Sequence, residues 1–579
     1  MKVQTPRRST KLVLALICAL AFAPTPSSAW SFSSLFGGDD DDKSSSGSRH
    51  STQTETKTPA KQEADDLSDG TDANVTQPRL KPEDWFITEE EIVASRGGIP
   101  RDGLQTYTTG NNVTVYTVAN EFFTAVVNDF RATKKAIASC STTGFDVLFK
   151  GIVKRGGSVN LLSWSNYLLT SQNVNARDAI NKIPPSPING AKAVYLFDDR
   201  VPIASSSHHQ KTIVIAANKS TGEDEHPIAY VGGIDLTNDR WDTIYHNNTA
   251  IREAANIPYR NKGWVDAHFR IHGPAAKEVA NNFLQRWNSD YKPNQGLEDD
   301  LLSFDNPDYD KLPPIDYASS NTSSKLGNQN IQIVRTFSCI YKHYKEFAPR
   351  GEQSLFRARI KALKNAKNFI YIEDQYFIYV PELLDALMEV LPRIQRLIVV
   401  LQPPDALLKA AGYGRYIYEM IHPMKDKFPN KVQIYTTKSE LDIYVHTKLV
   451  LIDDVYVSLG SANWNRRSMT SDSELNANVI DDETVESPDG ITVLKLARDM
   501  RIRKFVEMTG LSYKKLNAMR FIDAADEFKV AAKSESTILT DFNVKYSLYY
   551  ETFISKFREQ VDPQEVCSFS DSGSMRDLQ

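Results

Sequence analysis

Two short segments carry side chains suited to the same chemistry. His209 and Lys211, in His-Gln-Lys, precede the apolar run Thr212-Ile-Val-Ile215, and His446 and Lys448, in His-Thr-Lys, precede Leu449-Val-Leu-Ile452. Residues i and i+2 of a strand point the same way. Read as strands, both segments project an imidazole and an ammonium into one space. An imidazole can attack or move a proton, and a fixed ammonium can hold an anionic oxygen. The pair suits displacement at phosphorus, where positioning and charge stabilisation dominate. One His-x-Lys is commonly structural or on the surface; its repetition is what gives it weight.

The repetition extends downstream. The first copy leads to Tyr230-Val-Gly-Gly-Ile-Asp235, and the second to Tyr456-Val-Ser-Leu-Gly-Ser-Ala-Asn463. Each half thus has a second apolar strand ending in a polar, glycine-containing segment. In the second copy, Ser461 and Asn463 can offer a hydroxyl, an amide and backbone N–H groups to the non-bridging oxygens beside Lys211 and Lys448. Such duplication predicts two similar lobes whose polar ends meet at one seam.

The elements that must position these groups follow from periodicity. Helical patterns cover 122–138, 146–154, 275–287, 355–364 and 380–390, and strand patterns cover 159–164, 212–215, 228–231, 369–372, 397–401, 432–435, 448–452 and 456–459. The alternation predicts an α/β fold of two lobes, each a mixed sheet flanked by helices. Residues 1–29 have a charged start, a short apolar core at Leu12–Ala23 and a small-residue site at Ser27-Ser28-Ala29, and read as a secretory signal. Residues 30–82, rich in Ser, Thr, Asp and Lys, read as a linker. The first lobe is expected over 83–292, opened by a capping box at Thr88 and Glu91. A polar junction is expected over 293–325, the second lobe over 326–530 and an extension over 531–579. Once Cys18 leaves with the signal, Cys140, Cys339 and Cys567 allow at most one intrachain bridge, and five sequons (Asn74, Asn112, Asn218, Asn247, Asn321) fit secretion. A net charge of −5 argues against a broad nucleic-acid surface. No zinc-ligand spacing is evident.

The residues now suffice to name a family. The chain resembles the phospholipase D superfamily, whose signature His-x-Lys-x4-Asp occurs twice. The second copy is complete, with His446, Lys448 and Asp453; in the first, Ala216 holds the acid's place. The run YVHTKLVLIDDVYVSLGSANWNRRSM, with IYIEDQYF at 370–377, ARDMR at 497–501, HHQK at 208–211, VGGIDLTNDRWDT at 231–243 and WVDAHFRIHGPAA at 264–276, resembles the eukaryotic phospholipase D branch over roughly residues 115 to 510.

The resemblance implies a phospho-histidine on His209, with His446 as general acid and then base, and Lys211, Lys448 and Asn463 on the oxygens. It suggests Asp266 as the acid supporting His209 and Glu474 as the acid supporting His446. Asp235 and Asp242 are expected to shape a turn, and His208, His226 and His268 to have no role. No cofactor is expected, calcium serving only as an aid to membrane binding. The expected partners are a phospholipid surface as substrate and water or a primary alcohol as acceptor. The chain is expected to act as a monomer without nucleic acid. Membrane contact would fall to loops of the lobes; Tyr413 to Tyr418 is one such segment, although core packing explains it better. Two rival readings are a secreted or endolysosomal nuclease and a catalytically impaired binding protein marked by Ala216.

Overall fold

A computed structural model describes residues 74–132, 145–164, 170–201, 206–216, 227–293, 306–314, 326–339, 347–405, 408–409, 412–545, 568–569 and 575–576. The signal segment, most of the linker, Cys140, Cys567, His226, Asn218, Asn321 and much of the junction and the C-terminal extension lie outside these residues.

The first half supplies β1 (Thr108–Tyr116), β2 (Val159–Trp164), β3 (Ala193–Asp198), β4 (Thr212–Ile215), β5 (Ile228–Gly232), the short β6 (Gly263–Val265) and β7 (His268–His272). The second supplies β8 (Gln329–Thr336), β9 (Phe369–Asp374), β10 (Arg396–Leu401), β11 (Val432–Thr437), the short β12 (Ile443–Val445), β13 (Lys448–Ile452), β14 (Tyr456–Gly460) and β15 (Glu474–Asp481). Apart from β2–β3 and β6–β12, these strands join one twelve-stranded sheet. Its order is the edge strand Leu539–Asp541, then β11-β10-β9-β13-β14-β15-β8-β1-β7-β5-β4.

That order displays the duplication. Read outward from the β8–β1 pair, β15, β14 and β13 on one side match β7, β5 and β4 on the other, all antiparallel. The two lobes are therefore fused through one sheet, and the seam runs along its middle. The parallel part differs between halves. In the second, β9, β10 and β11 continue the sheet, whereas β2 and β3 form a separate parallel pair.

Alternation along β13 explains the layering. Leu449 and Leu451 enter one core, and Val450 and Ile452 enter the other, on the opposite face. The N-terminal segment departs from the expected boundaries. The capping box forms as read, with Glu91 N donating to Thr88 Oγ1 at 3.2 Å and Thr88 N to Glu91 Oε2 at 2.8 Å. However, Trp85, Phe86, Ile87 and Ile92 pack into the second half's core, where Trp85 stacks on Tyr456 at 5.5 Å. Thr76 exchanges two 2.8 Å bonds with the Asn368 side chain, so order begins before residue 83. Tyr413 and Tyr416 are buried in the first turn of the helix Tyr413–Lys427 and offer nothing to a membrane.

Candidate active site

Each His-x-Lys lies at the entrance of its strand, with the histidine outside it. Lys448 is the first residue of β13, and Lys211 immediately precedes β4. The chain reaching each histidine zips in parallel onto the other half. Residues 207–209 run along 472–474, with Ser473 N donating to Ser207 O at 2.9 Å and His209 N to Ser473 O at 3.0 Å. In mirror fashion β12 pairs with β6, and His446 N donates to Val265 O at 2.8 Å. Close approach along these strands needs glycine. A Cβ at Gly233 would lie 2.1 Å from Asp266 Oδ1, and one at Gly460 would lie 2.3 Å from Leu475 O.

This zipping crosses the supporting acids. His209 Nδ1 lies 2.9 Å from Ser461 O and 3.2 Å from Glu474 Oε1, and His446 Nδ1 lies 2.8 Å from Asp266 Oδ2. The expected pairing, Asp266 with His209 and Glu474 with His446, is thus reversed: each histidine takes its acid from the opposite half. A carbonyl oxygen can only accept, so His209 carries its proton on Nδ1 and presents a bare Nε2. His446 likewise donates Nδ1–H to Asp266.

Ser461, expected at the substrate, is committed elsewhere. Its hydroxyl donates to Glu474 Oε2 at 2.5 Å, and Ser468 Oγ donates to Glu474 Oε1 at 2.6 Å. Burial lifts the Glu474 carboxyl to about 7, against these hydroxyls and the two lysines. Asn463, three residues past the end of β14, is buried, its Oδ1 without a hydrogen-bond partner among the described residues. Lys211 Nζ donates to His209 O at 2.8 Å; Lys448 Nζ donates to His446 O and, at 3.1 Å, to Gln375 Oε1. Burial and then the neighbouring lysines hold His209 well below the usual imidazole range, and burial and Lys448 push His446 down to about 4. Burial brings Lys448 down to about 8.

Asp453 does not join them. It lies past the far end of β13, a rise of roughly 17 Å from Lys448 at about 3.3 Å per residue. There its carboxylate accepts from the N–H groups of Lys367, Asn368 and Phe369 at 2.6, 2.8 and 2.8 Å, closing the turn into β9. The corresponding position, Ala216, follows β4 at the same remote end and is exposed.

A model described as phospholipase D matches residues 188–384, and one described as a cardiolipin synthase, PLD-like domain matches residues 360–489. The first match contains His209, Lys211 and Asp266; the second contains His446, Lys448 and Glu474. The chain belongs to the phospholipase D superfamily. Phospholipase D alpha 1 of Nicotiana tabacum is 26% identical over 372 residues, covering 46% of this chain and 45% of that protein. Phospholipase D beta 1 of Arabidopsis thaliana is also 26% identical, covering 46% of this chain and 34% of that protein. The chain spans less than half the length of these curated relatives. Among solved structures, a phosphatidylserine synthase of Haemophilus influenzae matches 64% of this chain and 82% of its own at 13% identity, with a TM-score of 0.39.

Four residues in and around this superfamily site were missed or undervalued in the sequence. Asp235, read as turn-shaping, is 29% exposed and lies 3.5 Å from Lys211 Nζ and 3.9 Å from His446 Nε2. Burial opposes its charge, yet Lys211 and Arg240 hold its carboxyl well below the usual range. Its place at the end of the duplicated second strand was the available signal. Gln375, inside IYIEDQYF, steadies Lys448, and Ser468 steadies Glu474. His208, read as having no role, is buried with Nδ1 2.7 Å from Ser473 Oγ and Nε2 3.2 Å from Asp198 Oδ1, helping to pin the segment that carries His209. His268 packs beside the Phe122 ring at 4.3 Å. Among the described residues no cluster of three or more His, Cys, Asp or Glu side chains is placed to hold a metal ion. Nor is any described helix long and apolar enough to cross a membrane.

Proposed function

We propose that the chain is a phospholipase D-type phosphodiesterase that cleaves the distal phosphodiester of glycerophospholipids, releasing the head-group alcohol. The observation carrying this reading is the asymmetry of two histidines that are otherwise held alike. Both are locked through Nδ1, so both Nε2 atoms are available for chemistry. Of the two, His446 has a carboxylate, Asp235, 3.9 Å from its Nε2, a neighbour that favours its protonated form. His209 is neutral with a bare Nε2, the form a nucleophile needs.

In this reading the phosphate enters between Lys211 and Lys448. Its negative charge offsets the two cations that depress the histidines, so His446 gains its proton as substrate binds. His209 Nε2 bonds to phosphorus as the P–O bond to the head group breaks, and His446 protonates the departing oxygen. His446 then takes a proton from water, whose oxygen displaces His209 and leaves phosphatidic acid. A primary alcohol in place of water gives a phosphatidylalcohol. The remote, exposed position of Ala216 removes the reason for reading the chain as an impaired binding protein.

Secretion is part of the proposal. Cys339 is disulfide-bonded, and the described sequon residues Asn74, Asn112 and Asn247 are all exposed, both suited to an oxidising, glycosylating route. The substrate test uses phosphatidylcholine vesicles and single-stranded DNA in parallel. Choline and phosphatidic acid from the vesicles support the lipid reading. Nucleotide release without choline would replace it with the nuclease reading.

A further inference from the structure

Outside the reacting centre lies a buried row of charged groups that the mechanism above does not use. His246 has Nδ1 2.7 Å from Asp242 Oδ2 and Nε2 3.4 Å from Glu507 Oε1, and all three side chains are about 1% exposed. Glu507 is bonded by Lys504, whose Nζ also lies 3.1 Å from Glu373 Oε2, and Tyr371 donates to Glu373 Oε1 at 2.6 Å. Arg252 stands 3.8 Å from Asp242 Oδ1.

Both ends of the row reach the half-site of His446. Asp242 Oδ2 also accepts from Trp264 N at 2.7 Å. Trp264 lies on β6, beside β12, and its ring meets the His446 ring edge-on at 5.9 Å; Asp266, two residues later, holds His446 Nδ1. At the other end, Glu373 precedes Asp374 and Gln375. Asp374 pairs with Lys448 across the strands and accepts from Trp464 N at 2.9 Å, and Gln375 binds Lys448 Nζ at 3.1 Å.

We propose that His246 is a positioning residue for the His446–Lys448 half-site: as an imidazolium between Asp242 and Glu507, it ties the first-half arm carrying Trp264 and Asp266 to the second-half helix Lys495–Thr509 and, through Lys504, to β9. Nδ1 is hydrogen-bonded to Asp242, and Nε2 faces Glu507 at an ion-pair distance without a hydrogen bond, so a carboxylate lies beside each ring nitrogen and the setting favours the imidazolium. Burial opposes the charge, but Asp242 and Glu507 lift His246 to about 9. The brace is charged at neutral pH and weakens in alkali. Displacement of a catalytic group by about 1 Å can cost about a hundredfold in rate, so loosening this brace acts on turnover more than on binding.

The test compares wild type with His246→Gln and the milder Glu507→Gln. The kinetic arm rests on the phosphodiesterase reading and uses bis(p-nitrophenyl) phosphate at pH 7. Turnover should fall about 10- to 100-fold with KM within about threefold. The second arm needs no turnover: histidine NMR of the wild type should show one buried imidazolium persisting at pH 8, lost in His246→Gln, with the His446 resonances displaced in both variants. A wild type inactive on the diester sinks the functional reading and leaves the brace to the NMR arm. A neutral His246 at pH 7, or unmoved His446 resonances in a folded variant, overturns the brace. So does unchanged kcat in variants that are merely less stable.

Discussion

Replacing Asp266 by Asn removes one charge from the crossed arrangement while keeping its volume. The carboxylate is 2% exposed and 2.8 Å from His446 Nδ1, and its other oxygen accepts from Ala267 N at 2.8 Å. The amide oxygen can keep one of these bonds, so the fold should survive with a small change in Tm. What is lost is a charge-assisted bond, about 1.5–3 kcal/mol, together with the lock on the His446 tautomer. A combined loss of about 3–5 kcal/mol of transition-state stabilisation corresponds to about 10²- to 10⁴-fold in kcat/KM. The assay pairs that rate with histidine NMR titration. His446, already pushed down to about 4, should titrate still lower once the group raising it is gone, and His209 should be unchanged. In a background of His446→Ala, Asp266→Asn should add almost nothing. If it instead altered His209 and left His446 alone, the crossed pairing would be wrong and the within-half pairing suggested by sequence would return.

Other outcomes follow from the same geometry. Asp453→Ala should strand three backbone donors, two of them buried, and cost about 3–5 kcal/mol of stability, while kcat per folded molecule stays within about threefold; a denaturant melt beside an active-site titration separates the two. Ala216→Asp, at an exposed position, should change neither activity nor Tm appreciably. Lys448, brought down to about 8, is cationic below that pH and neutral above it, so kcat/KM should fall as pH rises through about 8. Lys448→Arg should move that limb beyond the measured range, and a limb that stays in place would assign it to another group.

The strands on either side of each His-x-Lys were legible because a period of two alternates with helical periods over most of the chain. The duplication was legible because β4–β5 and β13–β14 repeat one pattern. The fusion of the lobes was not, since it rests on β8 pairing with β1 over 200 residues away, and no local pattern encodes that register. The crossed acids were hidden for a similar reason. Proximity in sequence favours Asp266 for His209, but the partners lie 265 and 180 residues apart, joined by parallel zipping across the seam. Asp453 misled because the motif was read as one unit, whereas the strand between Lys448 and Asp453 carries the acid away from the chemistry. Asp235 sits in a turn and faces the site all the same.

Capture of the covalent intermediate tests the roles of the two histidines most directly. From a phosphatidyl ester of p-nitrophenol, p-nitrophenolate leaves without a proton from His446 as His209 bonds to phosphorus, so His446→Ala should still form the intermediate and then fail to hydrolyse it. Rapid quenching and peptide mass spectrometry should find one phosphatidyl group per chain, on His209, matched by one equivalent of p-nitrophenol in a burst. Label on His446, or steady release of p-nitrophenol with no labelled histidine, would contradict the roles assigned here.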